Sequence, residues 1–334
     1  MALYLKILLR CNRSIAVIRI FLLSLCCSSV QAIDLGSEPI SPIQPNLGLD
    51  QAKVSLGRDL FHDPRLSSDN SISCASCHDL NTGGADKGAV SFGVNNAAGS
   101  ANTPTVYNSS LNFVQFWNGR AQNLNEQVNG PVHNPVEMNS SWPEIIDRLS
   151  QDKQLQAEFT TTYSDGISIE NIQDAIIQFE HSLNTHNSPF DRWLTGDSTA
   201  LSDDQVQGYR LFKSYGCISC HQGKNVGGNM YAYFGAVKDI SAYFHDRGTP
   251  LSNTDYGRYT DTNNPVDRYL FKVPSLRLAS LTAPYFHDGS IAELADAIKI
   301  MGRFQLGREI PDEHVSAIKA FIVSLAGEHP ELAK

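Results

Sequence analysis

A five-residue pattern that occurs twice constrains this chain more than anything else in it. Residues 74–78 read CASCH and residues 217–221 read CISCH, so Cys74, Cys77 and His78 recur as Cys217, Cys220 and His221. Such a cluster has three familiar uses. A structural zinc takes four ligands, commonly from two such pairs close in sequence, and here the pairs lie far apart. A thioredoxin-like disulfide sits in a βαβ pattern, and alternating strand patterns are scarce in this chain. The third use is covalent attachment of a c-type haem. The two thiols form thioethers with the haem vinyl groups, and the adjacent histidine ligates the iron. Two copies predict two covalently bound haem c groups.

The other three cysteines, Cys11, Cys26 and Cys27, fall within the first 32 residues. That segment reads as a secretory signal peptide, cleaved after about Ala32. Lys6, Arg10, Arg13 and Arg19 open it, the apolar run IFLLSLCC follows, and VQA supplies small residues at the cleavage positions. The apolar run is short for a membrane span. The expectation is therefore export to the periplasm without stable membrane insertion. After cleavage no cysteine lies outside the two motifs. The full chain has 26 basic and 35 acidic residues, a net charge of −9. Loss of the four basic leader residues takes it to 22 − 35 = −13. Acidity of this size argues against nucleic acid and anionic membranes as partners and permits steering of a basic protein.

The flanks of the motifs repeat as well. Gly57, Leu60 and Phe61 precede the first, and Gly208, Leu211 and Phe212 precede the second in the same spacing. The rest reads as helix and loop. SIENIQDAIIQFEHSL places Ile169, Ile172, Ile176, Phe179 and Leu183 at helical spacing. SDDQ at 202–205 predicts a capping box, as do Ser290 and Glu293 ahead of IAELADAIKIM. In that last segment Ile291, Leu294, Ala295, Ile298 and Met301 share a face. PDEHVSAIKAFIVSL predicts a closing helix with Pro311 near its start. The expected architecture is all-α: two cytochrome c-like domains at 33–187 and 188–334, each with one haem, joined near THNSPFDRWLTGDSTA.

Several spaced segments, LFHDPRLS, ISCASCH, NTPTVYN, QFWNGRA, GPVHNPVEM, GCISCH, LTAPYFHDGS and AIKIMG, resemble the bacterial di-haem cytochrome c peroxidases from about Gly57 to Gly327. The resemblance implies that the haem on His78 is peroxidatic and that the haem on His221 accepts electrons with Met301 as its second axial ligand. By pattern alone Met301 reads as a core residue. The resemblance also matches Trp117 to an inter-haem tryptophan, and Gln127 and Glu137 to two polar pocket residues. A carboxylate such as Glu137 suits peroxide chemistry, because splitting the O–O bond moves a proton from one oxygen to the other. A calcium ion is implied near the domain junction, held by the Asn102 side chain and the backbone carbonyls of Thr282 and Pro284. His287 falls in a matching segment with no role assigned.

One position departs from that pattern. Many members carry a histidine in the loop after the first motif, which caps the peroxidatic iron until the other haem is reduced. That position is Val94 here, and no histidine lies between His78 and His133. The expectation is an open peroxidatic site, with His133 the one substitute to consider. A related enzyme, which matures methylamine dehydrogenase, also lacks the loop histidine, oxidises residues of a partner protein, and has a tyrosine where the peroxidases have methionine. Met301 favours the peroxidase. The reading is thus a peroxidase that reduces hydrogen peroxide with electrons from a small cytochrome c or copper protein (cupredoxin), and a homodimer is compatible with it. Oxidation of a partner protein and electron transfer without turnover are the alternatives.

Overall fold

The structure, a computed structural model, describes residues 38–45 and 48–333; the expected signal peptide lies outside the described residues. The chain is mainly helical. In order it forms α1 (Gln51–Phe61), α2 (Cys74–Cys77), α3 (Leu124–Gln127), α4 (Asn129–His133), α5 (Trp142–Leu149), α6 (Lys153–Thr162) and α7 (Ile169–Ser182). There follow α8 (Pro189–Leu194), α9 (Asp203–Tyr215), α10 (Ser241–Asp246), α11 (Tyr259–Thr262), α12 (Leu294–Gln305) and α13 (Asp312–Val323). Among the described residues the only sheet is an antiparallel pair, β1 (Tyr231–Tyr233) and β2 (Leu270–Lys272).

Local chemistry sets the helix ends. Ser202 and Gln205 form the expected reciprocal cap of α9, and Gly216 ends that helix at φ 96°, a conformation that costs glycine little. The box expected at Ser290 does not form. Ser290 Oγ instead bonds Asp288 Oδ1 at 2.8 Å and Tyr243, so α12 starts later, with Glu293 at its N-cap and Ile291 outside the helix. A local turn onto Asp288 and a distant tyrosine have taken the hydroxyl that the pattern assigned to a cap.

Two helix pairs carry the cores, and they are built alike. α1 crosses α7 at Gly57, where an added Cβ would lie 1.8 Å from the Ala175 carbonyl oxygen and 3.0 Å from Phe179 Cβ. α9 crosses α13 at Gly208, where the corresponding distances are 1.9 Å to Ala317 O and 3.0 Å to Phe321 Cβ. Phe61 meets Phe179 edge-on at 5.3 Å, and Phe212 meets Phe321 at 5.0 Å. The glycine lets two backbones touch, and the two phenylalanines close the gap below. α9 leads almost directly into Cys217, whereas a 3₁₀ turn at Pro64–Leu66 separates α1 from Cys74.

The likeness extends to a longer segment. Residues 102–124 and 272–294 follow the same course. The 3₁₀ turns Ser109–Leu111 and Ala279–Leu281 come first, each preceded by a left-handed residue, Asn108 or Leu278. The bridges Gln115–Ala121 and Tyr285–Ile291 follow, each enclosing a left-handed phenylalanine and glycine: Phe116 and Gly119, Phe286 and Gly289. Trp117 and His287 therefore occupy equivalent places, as do Asn102 and Lys272. The two segments are stitched together reciprocally. Asn102 N–H donates to the His287 carbonyl at 2.8 Å, and Lys272 N–H donates to the Trp117 carbonyl at 2.9 Å.

The segment expected as a linker is packed. α8 lies within it, with Phe190 stacked on Trp193 at 5.6 Å and edge-on to Tyr209 at 4.8 Å. Buried Arg277 grips buried Asp191 of α8 with two bonds, 2.8 and 2.9 Å. Removing one partner of such a pair costs roughly 3–5 kcal/mol, because the other charge stays behind in the interior.

Candidate active site

Both motif histidines are aimed by backbone carbonyls. His78 Nδ1 donates to Gly84 O at 3.1 Å and His221 Nδ1 to Val226 O at 3.4 Å, with the carbonyls of Pro104 and Pro274 also acting on the two rings. A proton fixed on Nδ1 leaves Nε2 as the ligating nitrogen on the other side of the ring. Burial lowers the pKa of His78 and holds His221 down at about 4, so both are neutral imidazoles near pH 7. The four cysteines are free. Burial pushes the Cys217 thiol up to about 11 and raises the other three. Reactive redox cysteines are held low instead, so these thiols lack the mark of a disulfide exchanger.

A cavity of about 260 Å³ opens beside the second motif. Cys217, Cys220 and His221 line it, and so do Met301 of α12, Ile322 of α13 and Phe212 of α9. The donor set fits a c-haem: two thiols for attachment, an oriented imidazole, a thioether and mostly apolar walls. The same cavity reaches Trp117, Asn102, Thr282 and Pro284. Trp117 Nε1 donates to the Asn102 carbonyl at 2.8 Å, which fixes the indole to the residue expected to hold calcium. Asn102 Nδ2 donates to Gly88 O and Ala89 O at 3.2 and 3.3 Å. These two bonds hold the amide nitrogen on that loop.

Around the first motif the chemistry differs. Cys74 and Cys77 stand in α2, and His78 caps it. Glu137 lies close enough to Cys77 to act on its thiol electrostatically. Burial raises the Glu137 carboxyl above its ordinary range, opposed by a 2.6 Å bond from Asn134 Nδ2 and by the charge of Arg120. Arg120 was not foreseen. Its guanidinium stacks on Phe116 at 3.4 Å from the ring centre, and no spacing in the sequence marks it out. Gln127 ends α3 half-buried, and no side-chain contact joins it to Glu137 among the described residues.

Val94 is buried, and its N–H donates to the Glu137 carbonyl at 2.8 Å. Gly93 permits this approach: a Cβ there would lie 2.3 Å from Val136 O. The loop position that resemblance assigns to a capping histidine is thus pinned to the backbone of the acid itself. His133 is exposed, with its ring edge-on to Trp142 at 6.3 Å. Another candidate cluster, Asp255, His287 and Asp288, has the grouping of a metal site. Arg247 already bonds both carboxylates at 2.6–2.7 Å, and His287 Nε2 bonds Asp255 at 2.8 Å, so the cluster is a neutralised ion-pair network.

Comparison with known proteins gives this geometry a family. The sequence profile of the di-haem cytochrome c peroxidases matches residues 51–199. Cytochrome c peroxidase Ccp of Escherichia coli K12 is 48% identical over 87% of this chain, which spans 62% of that protein. Cytochrome c551 peroxidase of Nitrosomonas europaea is 44% identical over 88% of this chain and 86% of its own length. Among solved structures, a MauG-like protein associated with microbial copper homeostasis superposes with a TM-score of 0.75 at 26% identity, over 90% of this chain and 98% of that one. A likeness that runs through both motifs and nearly the full length of a named relative places this chain in the di-haem cytochrome c peroxidase family.

Proposed function

We propose that the chain is an exported peroxidase that reduces hydrogen peroxide to two waters, taking two electrons from a small cytochrome c or copper protein and two protons from solvent. Cys74, Cys77 and His78 would hold the haem at which peroxide reacts. Cys217, Cys220, His221 and Met301 would hold the haem through which electrons enter. The bound haems supply iron at which the O–O bond is broken and a path for the electrons. The chain's own residues do the rest. Glu137 takes a proton from the nearer peroxide oxygen and returns it to the departing one. Asn134 orients that carboxyl, and Arg120 keeps it from staying protonated too firmly. Gln127 holds peroxide or water by hydrogen bonds. Trp117 would offer a π system for electron transfer, and Asn102, Thr282 and Pro284 would hold calcium.

The observation that carries this reading is Glu137, a half-buried carboxyl with a raised pKa beside the first motif and away from the Met301 cavity. The name of the Nitrosomonas relative supports a c551-type cytochrome as the donor. Val94 supports a site open without prior reduction. So does Pro131: counted from Leu124 and Leu294, the first residues of α3 and α12, it falls where Met301 does, and proline offers iron no ligand. The repeat of helix pairs supports a division near residue 188 into two haem domains, and the composition of the first 32 residues supports a periplasmic location.

The test is a spectrum of the oxidised protein with a turnover assay. Two covalent haems per chain are expected, one low-spin with a methionine-to-iron band and one with a high-spin population, together with peroxide-dependent oxidation of a reduced small cytochrome c. An N-terminal haem that is fully low-spin and inert until reduced would refute the open site. The resemblance to the enzyme that matures methylamine dehydrogenase supports one second reading, oxidation of a partner protein. Mass analysis of co-purified proteins after peroxide treatment separates the two.

A further inference from the structure

Among the described residues the interior holds three notable cations, and two of them are paired. Arg277 has Asp191, and Arg247 has Asp255 and Asp288. Lys272, at the end of β2, is 6% exposed, and among the described residues no hydrogen bond or ion pair reaches its ammonium. It belongs to the wall of the cavity that holds His221 and Met301. An ammonium buried without a counter-ion is costly. Burial alone draws its pKa down to about 8. Such a group needs a carboxylate, and the chain provides none there.

We infer that Lys272 is the counter-ion of a propionate carboxylate of the haem seated in the His221 cavity. The inference rests on the di-haem reading. A haem brings two propionates, and an apolar cavity that accepts the macrocycle must also neutralise them. Lysine suits the task as a compact point charge on a flexible stem. Its place in the repeat supports the assignment. Lys272 is the counterpart of Asn102, the residue expected to help hold calcium, so both equivalent positions come to carry positive charge, one through a metal and one through an ammonium. The anchoring bond from Lys272 N–H to the Trp117 carbonyl sets the cation beside the expected inter-haem path. A fixed cation at a haem favours the reduced, less positive state and raises its potential. Lys272 would therefore help make the His221 haem the electron acceptor.

The experiment is Lys272→Met in the full holoprotein, read by redox titration of both haems. Methionine keeps the buried stem and removes the charge. Both haems are expected to stay attached, and the equilibrium constant for reducing the His221 haem is expected to fall about tenfold, which is about 59 mV for one electron. Lys272→Arg, which keeps the charge, is expected to hold the wild-type potential. An unchanged potential in Lys272→Met, or a shift confined to the His78 haem, overturns the inference. Should Lys272→Met not accumulate, a crystal structure of the wild-type holoprotein decides: Nζ within hydrogen-bond reach of a propionate is expected, and an ammonium turned away overturns it. A wild-type chain with only one covalent haem would overturn the di-haem reading instead, and haem counting detects that separately.

Discussion

In the half of the chain that carries Cys217, α13 presents Ile322 to the cavity; in the half that carries Cys74, the equivalent residue of α7 is Glu180. Both follow the phenylalanine that seals the glycine crossing. Glu180 is 7% exposed, acts electrostatically on Cys74, and is pushed by burial up to about 7. The same contrast recurs elsewhere. Lys272 answers Asn102, and Met301 answers Pro131. One frame has been lined in two ways. On the proposed reading, the second half would hold an electron, with a thioether, a buried cation and mostly apolar walls. The first would handle protons, with the carboxyls of Glu137 and Glu180 raised by burial and no ligand where Met301 would fall. A shared backbone therefore carries no information about which half does chemistry, and the lining residues carry it all.

The largest expected effect tests whether proton handling belongs to the first half. Glu137→Gln keeps the shape and loses the proton, and peroxide turnover should fall by about 10²–10⁴-fold with both haem spectra retained. Because burial raises the Glu137 pKa, the base form appears only above the ordinary carboxylate range. Wild-type turnover should decline as pH falls through that raised value, and the variant should lack this limb. A variant as fast as wild type would remove the chemical distinction between the halves.

Next comes Pro131→Met. If the frames are equivalent, the new thioether should reach the first haem, convert it to low spin and remove most of the turnover. A spectrum identical to wild type would show that α4 does not stand where α12 does.

Glu180→Gln separates the halves by pH. The native carboxyl is raised from 4.5 to about 7, so the folded state holds a proton that the unfolded state releases earlier. This contribution to stability is present below about 4.5 and is lost as pH rises through about 7. Denaturant titrations should find the variant more stable than wild type at pH 8, by about 3 kcal/mol at one pKa unit per 1.36 kcal/mol. The difference should close near pH 4.5. A gap that does not change with pH would mean that Glu180 titrates normally.

The smallest effect concerns the shared frame. Gly57→Ala and Gly208→Ala each force a methyl against a carbonyl oxygen, and each should cost roughly 1–3 kcal/mol by overpacking. Equal losses would sharpen the equivalence of the two helix pairs. A loss in one half alone would break it.

The sequence made the motifs, the long helices and the paired glycines legible, because each follows a short local rule. The longer repeat was not legible. Pro104 and Pro274, Leu111 and Leu281, Phe116 and Phe286, and Gly119 and Gly289 coincide, but the residues between them differ where the two halves are specialised. Lys272 stayed hidden for that reason, since a lysine in a short strand reads as solvated until its burial is known. The polar, Pro/Gly-containing segment at 185–200 suggested a linker, yet Phe190 and Trp193 bring it into the core. At Ser290 the outcome was decided by a competing local turn onto Asp288 and by Tyr243, which is distant in sequence.

The reciprocal bonds between Asn102 and His287 and between Lys272 and Trp117 have the form of an isologous interface, in which each partner offers the other the same patch. Here both partners belong to one polypeptide, so the chain has the internal geometry of a fused two-fold dimer. Its two reciprocal bonds are made by main-chain groups, and main-chain groups are indifferent to the side chains they carry. Tryptophan could become histidine, and asparagine lysine, without loosening the join. A true homodimer must change both copies of a residue together; this arrangement lets one copy change alone.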